Sequence, residues 1–291
     1  MYLCNRIIVY DISRMGVIVI FKEGDEKMAV EITEQEKKSS LYKYFERDIA
    51  LPMEKLEEMV ADCEINEKDV LLPDHMNDLF LEGNLPGEFG YCRLRDGGAA
   101  IANYKKMPDV TVEMFDWWFC WHVLDPMRYK IWDKNNHIYC LTKNPDKICD
   151  ESIPLHERYW NTGCEIIETH IPGENPGHVV IPFRNPEDIG FDTEKLKQFK
   201  GTIVCSGDEK TPVTMVHFVR PCEDGGIELR SRFWFGFHVV NQKTEKMDLP
   251  QGVVFSEERL KHSLIHNINE FSNLEKILPE LYREYGNKSL I

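Results

Sequence analysis

Apolar and polar residues alternate with a period of two along several segments in the second half of this 291-residue chain. Such alternation is typical of β-strands that bury one face. Turn-forming residues separate the segments, as at 206–208 and 223–226, so neighbouring strands should be joined by hairpins. The pattern predicts an antiparallel sheet with strands near residues 177–183, 202–205, 213–219 and 227–237.

The first part of the chain has a different pattern. Residues 39–84 carry short helical periodicities, and Gly and Pro interrupt them at 83–90. We therefore predict a small, mainly helical N-terminal domain over 28–90 and a second domain over 91–291. Residues 1–27 are predicted to be an N-terminal extension, because the run that starts at Met28 reads like the start of a cytoplasmic protein.

The chain is predicted to end in helix. Ser256 is a suitable N-cap, and Ser272 with Glu275 has the spacing of a capping box, which predicts a further turn before Pro279 disturbs it. A curved antiparallel sheet wrapped around a C-terminal helix is a helix-grip arrangement of the α+β class. Such an arrangement encloses a cavity.

Composition excludes several classes of partner. The net charge of −15, without a basic cluster, disfavours nucleic acid and anionic membrane surfaces. The nine cysteines form no Cys-x-x-Cys pair, which indicates buried thiols in the reducing cytoplasm. Asp11 and Arg14 interrupt the apolar runs near the N terminus, so neither run is expected to be a signal peptide or a membrane span.

Three polar residues, His262, His266 and Glu270, stand at four-residue spacing in the predicted C-terminal helix. This spacing stacks them on one helical face, and imidazole nitrogen and carboxylate oxygen are ligands that zinc or iron accepts. A solvated helix face also carries such pairs by chance. The pattern alone therefore leaves a metal site and an ordinary polar face open.

Another imidazole lies at the end of the aromatic run 114–122, where His122 shares an otherwise apolar helical face. An unpaired polar group on such a face is costly, so His122 is a second candidate ligand. A further ligand is expected from 151–160, where Glu157 is favoured. The alternatives are Glu151, His156 and, beyond that segment, Glu168.

His217 and Asp125 are candidates for moving protons. His217 falls on the apolar face of the strand 213–219 and should point inward, where a histidine is more often a hydrogen-bonded core residue than a catalyst. Asp125 precedes Pro126, which disfavours helix at Asp125 and places its carboxylate at a helix end near His122. Its alternative roles are to satisfy local backbone groups or to pair with Arg128.

Several motifs, in this order, resemble the family of phloretin hydrolase and 2,4-diacetylphloroglucinol hydrolase. The resemblance covers roughly residues 40–285. The motifs are Asp116-Trp-Trp-Phe-Cys-Trp-His-Val-Leu-Asp-Pro-Met-Arg-Tyr-Lys-Ile-Trp132, Glu157-Arg-Tyr-Trp160, Val216-His-Phe-Val-Arg220, Leu229-Arg-Ser-Arg-Phe-Trp-Phe-Gly236 and His266-Asn-Ile-Asn-Glu270.

The resemblance implies a START-like helix-grip domain after a small N-terminal domain, a homodimer, and zinc held by two histidines and two glutamates. Transferred by motif, it implies His122, Glu157, His266 and Glu270 as the zinc ligands. It further implies His217 as the acid/base and Asp125 at a polar position beside the first zinc histidine.

The resemblance also implies a reaction, the hydrolysis of the carbon–carbon bond between a phloroglucinol ring and its acyl group. The substrate would be a small aromatic ketone, phloretin or an acylphloroglucinol. One position departs from the family, since Phe233 stands where a pocket tyrosine is expected, so an acylphenol with another hydroxyl pattern is plausible. Two rival hypotheses are a helix-grip carrier of an apolar or aromatic ligand, and a zinc enzyme that hydrolyses esters or amides.

Overall fold

A computed structural model describes residues 30–169, 171, 175–249 and 253–290. The predicted extension 1–27 lies outside the described residues. Ten strands are present in the described part of the chain: β1 (Gly90–Arg93), β2 (Ala99–Met107), β3 (His137–Thr142), β4 (Gly163–Glu168), β5 (Gly177–Arg184), β6 (Thr202–Ser206), β7 (Val213–Pro221), β8 (Ile227–Phe235), β9 (Phe237–Val240) and β10 (Lys243–Lys246).

Eight of these strands form one antiparallel sheet in the order β1-β2-β8-β7-β6-β5-β4-β3. The pairing is unequal along the sheet, because β7 and β8 share nine residue pairs whereas β5 and β6 share only Phe183–Ser206 and Arg184–Cys205. Strands β9 and β10 form a separate hairpin. The sheet therefore consists of five well-paired strands and a three-stranded unit, β3-β4-β5, joined at a narrow seam.

The described helices are short except for the last. Seven α-helices are present: α1 (Tyr42–Phe45), α2 (Met53–Val60), α3 (Val112–Trp121), α4 (Pro126–Lys130), α5 (Pro145–Ile148), α6 (Thr193–Gln198) and α7 (Glu257–Tyr285). Six 3-10 helices accompany them: Glu36–Lys38, Glu67–Asp69, Pro73–Phe80, His122–Leu124, Leu155–Glu157 and Pro186–Ile189.

Helix α7 begins where predicted, since the Ser256 side chain accepts a hydrogen bond from the Arg259 N–H. The prediction of a separate turn after Ser272 is wrong, because Ser272, Glu275 and Pro279 all lie inside one continuous helix of 29 residues. The apolar side chains that follow bury against the core and favour continuation of the helix. They are Leu274, Ile277, Leu278 and Leu281.

The alternation of β8 explains the layers. Leu229 and Phe233 face α3 and α7, whereas Trp234 faces the 3-10 helix Pro73–Phe80 on the other side of the sheet. Helix α7 also packs against β1 and β2. The predicted combination of a large antiparallel sheet with a C-terminal helix is thus confirmed.

The N-terminal helices contribute to cores that the sheet shares. Tyr44 belongs to the same buried cluster as Phe115 and Leu278, and Leu56 of α2 to the same cluster as Leu260 of α7. The 3-10 helix Pro73–Phe80 covers the opposite face of the sheet. The domain boundary near residue 90 stays a prediction. Within the described ranges, every helix is too short or too polar to cross a bilayer.

Candidate metal centre

Four polar residues from two parts of the fold meet between α7 and the β3-β4 hairpin. His137 begins β3 and Glu168 ends β4, and the two are paired across this hairpin. Paired residues of antiparallel strands point to the same side of a sheet, so both side chains face the helix. His266 and Glu270 lie one turn apart on α7 and face the hairpin.

The imidazole Nε2 atoms of His137 and His266 face each other at 3.4 Å. Glu270 Oε1 lies 3.1 Å from Nε2 of His137 and 3.4 Å from Nε2 of His266. Glu168 Oε2 lies 3.8 Å and 3.7 Å from the same two nitrogens. Two imidazole nitrogens and two carboxylates therefore converge on one point in a buried region.

Asp133 is a further acidic residue at this site. One ligand atom each from Asp133, His137 and His266 lie within 4.8 Å of one another, so these three buried residues could hold a metal ion. Asp133 approaches the other side of the His266 ring, with Oδ2 3.9 Å from Nδ1. Because the Nε2 side faces the two glutamates, the geometry suits Asp133 as an orienting partner of His266.

Tyr129 organises the opposite side of the cluster. Its backbone carbonyl accepts a hydrogen bond from His137 Nδ1 at 3.2 Å, which leaves the lone pair of His137 on Nε2. The Tyr129 ring stacks on His137 with centroids 3.8 Å apart, and its hydroxyl donates to Glu168. Tyr129 thus fixes the orientation of one imidazole and one carboxylate together.

The electrostatics of the cluster are strongly coupled. Burial alone would lower the pKa of His266, but the charge and hydrogen bond of Glu270 raise it to about 10. Burial alone would raise the pKa of Glu270, but His266 and His137 lower it to about 2. In the metal-free protein these two residues form a charged pair, and a metal ion would take the place of the His266 proton.

The structure does not bring His122 into this cluster. Its Nδ1–H donates to the Trp118 carbonyl at 2.7 Å, and its ring stacks on Trp118. Burial lowers the pKa of His122 to about 3, so the imidazole is neutral. Tyr129 lies between the two sites, since its ring centroid is 6.1 Å from that of His122 and 3.8 Å from that of His137.

Glu157 also lies apart from the cluster. It ends a 3-10 helix, its side chain is 41% exposed, and it lies beside His156. The alternatives Glu151 and His156 are exposed. The remaining alternative, Glu168, is the one that the structure places in the cluster, and Glu168 and His137 face each other only because β3 pairs with β4.

His137 was missed in the sequence analysis. It stands five residues after the resemblance motif that ends at Trp132, at the start of a six-residue strand. Glu168, His266 and Glu270 lie 31, 129 and 133 residues away, and only Asp133, four residues earlier, is near His137 in sequence. The helical pair His266 and Glu270 was found because its spacing reflects a contact within one helix.

His217 points inward as predicted. It is buried on β7, its Nδ1 lies 2.9 Å from the Ser231 hydroxyl, and its ring contacts the rings of Phe119, Phe233 and Phe271. Burial lowers the pKa of His217 to about 4, although the charge of Glu270 acts in the opposite direction. The imidazole is therefore neutral near pH 7.

Asp125 has a local structural role. It caps α4, and its side chain accepts a hydrogen bond from the Met127 N–H at 2.8 Å. Its side chain is partly buried. This is the backbone-satisfying role that the sequence analysis kept as an alternative.

Comparison with known proteins identifies the family of this chain. The family model described as "DAPG hydrolase PhiG domain" matches residues 71–283, which include all four residues of the cluster. The chain belongs to the DAPG hydrolase family. As a member of this family it is a hydrolase, and the rival hypothesis of a carrier without chemistry gains no support.

Two curated relatives extend the match over most of the chain. Phloretin hydrolase of Eubacterium ramulus is 34% identical over 272 residues, which cover 91% of this chain and 97% of the relative. The 2,4-diacetylphloroglucinol hydrolase of Pseudomonas protegens (strain DSM 19095 / LMG 27888 / CFBP 6595 / CHA0) is 28% identical over 262 residues, which cover 84% of each chain. Among solved structures, Ara h 8.0201 aligns at a TM-score of 0.37 with 10% identity, over 63% of this chain and 99% of its own.

Proposed function

We propose that this protein is a zinc-dependent hydrolase that cleaves the aryl-ketone carbon–carbon bond of phloretin or an acylphloroglucinol. Water is consumed, the ring carbon gains a hydrogen, and the acyl carbon gains a hydroxyl group. The products are phloroglucinol, or an acylphloroglucinol with one acyl group fewer, and a carboxylic acid. The observation that carries the proposal is the buried convergence of two imidazoles and two carboxylates in a member of this hydrolase family.

The proposed zinc ligands are His137, Glu168, His266 and Glu270. This set supports the proposal because two nitrogens and two carboxylate oxygens are ligands that zinc prefers, and each histidine has a partner on its Nδ1 side. It keeps two of the residues that the resemblance implied and replaces His122 by His137 and Glu157 by Glu168. When bound, zinc would polarise the ketone or lower the pKa of a bound water.

His217 is proposed to move the proton. Because it is neutral near pH 7, it can take a proton from the attacking water and then return that proton to the ring carbon. Ser231 holds its Nδ1, which leaves Nε2 for the reaction. The rings of Phe119, Phe233 and Phe271 around His217 exclude water and provide apolar contacts for an aromatic substrate.

A product assay tests the proposed reaction. The purified, zinc-loaded protein is incubated with phloretin, and products are identified by liquid chromatography with mass spectrometry. Formation of phloroglucinol and an aryl propionic acid is expected. Cleavage of ester or amide substrates alone, or phloretin recovered intact together with every acylphloroglucinol tested, contradicts the proposal.

The proposed ligand set has a matched control in this chain. Glu168→Gln is expected to lower zinc content and abolish cleavage, because a neutral amide oxygen is a much poorer ligand than a carboxylate. Glu157→Gln is expected to leave both unchanged, since Glu157 is half-exposed beside His156. Elemental mass spectrometry and the phloretin assay measure the two effects, and the reverse result would support the ligand set first implied by the resemblance.

Three further expectations belong to the same proposal. We infer a START-like helix-grip arrangement from the sheet that packs on α7. We also propose a homodimer and a cytoplasmic location. Sedimentation analysis of the purified protein and fractionation of the source cells would test the last two.

A further inference from the structure

A row of polar side chains crosses the centre of the sheet on the face that α7 covers. Asn103 of β2 and His217 of β7 are both register partners of Ser231 on β8, so the three residues lie side by side on adjacent strands. All three are at most 4% exposed. The same face is otherwise apolar here, with Ile101, Leu229 and Phe233 among the neighbouring residues.

At one end of this row the hydrogen bond lies within the row, and at the other end it reaches α7. Ser231 bonds to His217, the proposed proton-transfer residue, whereas the Asn103 amide donates to Asn267 Oδ1 on α7 at 2.9 Å. Asn267 follows the ligand His266 directly and lies one helical turn before Phe271. The ring centroids of Phe271 and His217 are 4.9 Å apart. Since residues one turn apart share a helix face, Asn267 also lies on the face turned towards the reaction site.

The Asn267 side chain keeps one hydrogen-bonding group unused. The residue is only 1% exposed, and its Nδ2 atom has no hydrogen-bond partner among the described residues. A buried amide N–H without an acceptor is destabilising, and proteins retain few such groups. An unpaired donor beside a reaction site indicates that the acceptor is supplied by a ligand.

The spacing suits a hydroxylated aromatic ring. Neighbouring strands lie about 4.8 Å apart, so Asn103 and His217 are roughly 10 Å apart across β8. Phe233, two residues beyond Ser231 on the same face, contacts His217 and offers no hydrogen-bond donor. Asn267, on the helix that covers this part of the sheet, supplies the hydrogen-bond donor that Phe233 lacks.

We propose that Asn267, held in place by Asn103, donates a hydrogen bond to a ring hydroxyl oxygen of the substrate and determines which hydroxyl patterns are accepted. This inference rests on the proposed hydrolysis of acylphenols. It assigns Asn267 as a specificity-determining residue and Asn103 as its positioning residue.

The test compares substrate discrimination in the zinc-loaded wild-type protein and in Asn267→Leu. The substrates are phloretin and analogues that each lack one ring hydroxyl. The wild type is expected to prefer phloretin over one analogue by about 10- to 100-fold in kcat/KM, and Asn267→Leu is expected to lose most of this preference. The ratio of kcat/KM for two substrates does not depend on the fraction of active protein.

Two variants keep the test valid if Asn267→Leu folds poorly. The double variant Asn103→Leu/Asn267→Leu removes both partners of the buried pair and should lose the same preference without leaving Asn103 unpaired. Asn273→Leu is the matched control, because Asn273 is a buried asparagine of α7 whose amide bonds to backbone at Trp132 and Ala50. It should keep the wild-type preference, even at reduced stability.

The outcomes separate this inference from the proposed function. Wild-type protein that cleaves none of the substrates contradicts the proposed function itself. Wild-type cleavage with an unchanged hydroxyl preference in both Asn267 variants contradicts only the assignment of Asn267.

Discussion

The two buried histidines outside the candidate metal centre show what burial does to a single side chain. His122 and His217 both lie in aromatic surroundings, and burial lowers the pKa of His122 to about 3 and that of His217 to about 4. The ordinary pKa of an exposed histidine is about 6.5. The unfolded chain therefore binds protons at these positions at a higher pH than the folded protein does.

This difference predicts a loss of stability in mild acid. The contribution of His217 is fully present above the unfolded pKa of about 6.5 and is lost as the pH falls towards the folded value of about 4. Between pH 7 and pH 5 the free energy of unfolding should fall by about 2 kcal/mol from His217 alone. Urea unfolding at the two pH values measures it, and a His217→Gln variant with an equally steep pH dependence would refute the prediction.

Tyr129 offers a second test at the level of one residue. Tyr129→Phe keeps the ring stacked on His137 but removes the hydroxyl that donates to Glu168, so zinc affinity should fall about tenfold. Competition with a chelating dye measures the affinity. Tyr159→Phe is the control, because this buried tyrosine donates to Asp116 instead and should leave zinc affinity unchanged.

The two faces of strand β8 have different roles. The face towards α7 carries Ser231 and Phe233 of the proposed reaction site, whereas Arg230 and Arg232 point to the other face and pair with Glu88. Both arginine side chains are at most 2% exposed. Glu88, itself partly buried, is thus the shared counter-charge of two buried cations on the face opposite to the reaction site.

Removing that counter-charge should destabilise the fold without changing the chemistry. Glu88→Gln is expected to lower the free energy of unfolding by about 3 kcal/mol, because it leaves the buried Arg232 without its carboxylate partner, whereas Arg230 keeps Glu228. The KM for phloretin should not change. Glu64→Gln is the comparison, since its partner Arg93 is half-exposed and the loss there should stay below about 1 kcal/mol.

Elements of this fold could be predicted from the sequence where the signal is local, and could not where it depends on strand pairing. The period-two pattern located β5 to β8, and helical spacing located His266 and Glu270, because both signals are local. Strands β3 and β4 were not predicted. They carry Glu165 and other polar residues on a partly exposed face, and His137 and Glu168 at their ends become neighbours only through strand pairing.

At the scale of the whole molecule, the cluster joins parts that are distant in sequence. His137 and Glu168 belong to the β3-β4-β5 unit, and His266 and Glu270 belong to α7, which packs on β1 and β2 at the other end of the sheet. A metal bound here would connect both parts. Metal binding and the stability of the fold should therefore be coupled.

The charged pair of His266 and Glu270 predicts the proton balance of this coupling. Since the pKa of His266 is raised to about 10, the imidazole carries a proton at pH 7 that the proposed zinc would have to displace. Calorimetric titration of the metal-free protein in two buffers of different ionisation enthalpy should give about one proton released per zinc. Binding without proton release would show that His266 is not a ligand.

The narrow seam between β5 and β6 bears on how a substrate reaches the buried site. In the described part of the chain, β5 and β6 share two register pairs and one further hydrogen bond, from the Gly207 N–H to the Pro182 carbonyl, whereas β7 and β8 share nine register pairs. Because Phe183 donates to Thr162 on the other side of β5, the N–H of Arg184 is the one that faces β6. The Arg184 amide hydrogen should exchange with solvent faster than those in the middle of β8. Opening of this seam would give a substrate a route to the buried site without a permanent channel, and the opening rate would then limit how often a substrate enters.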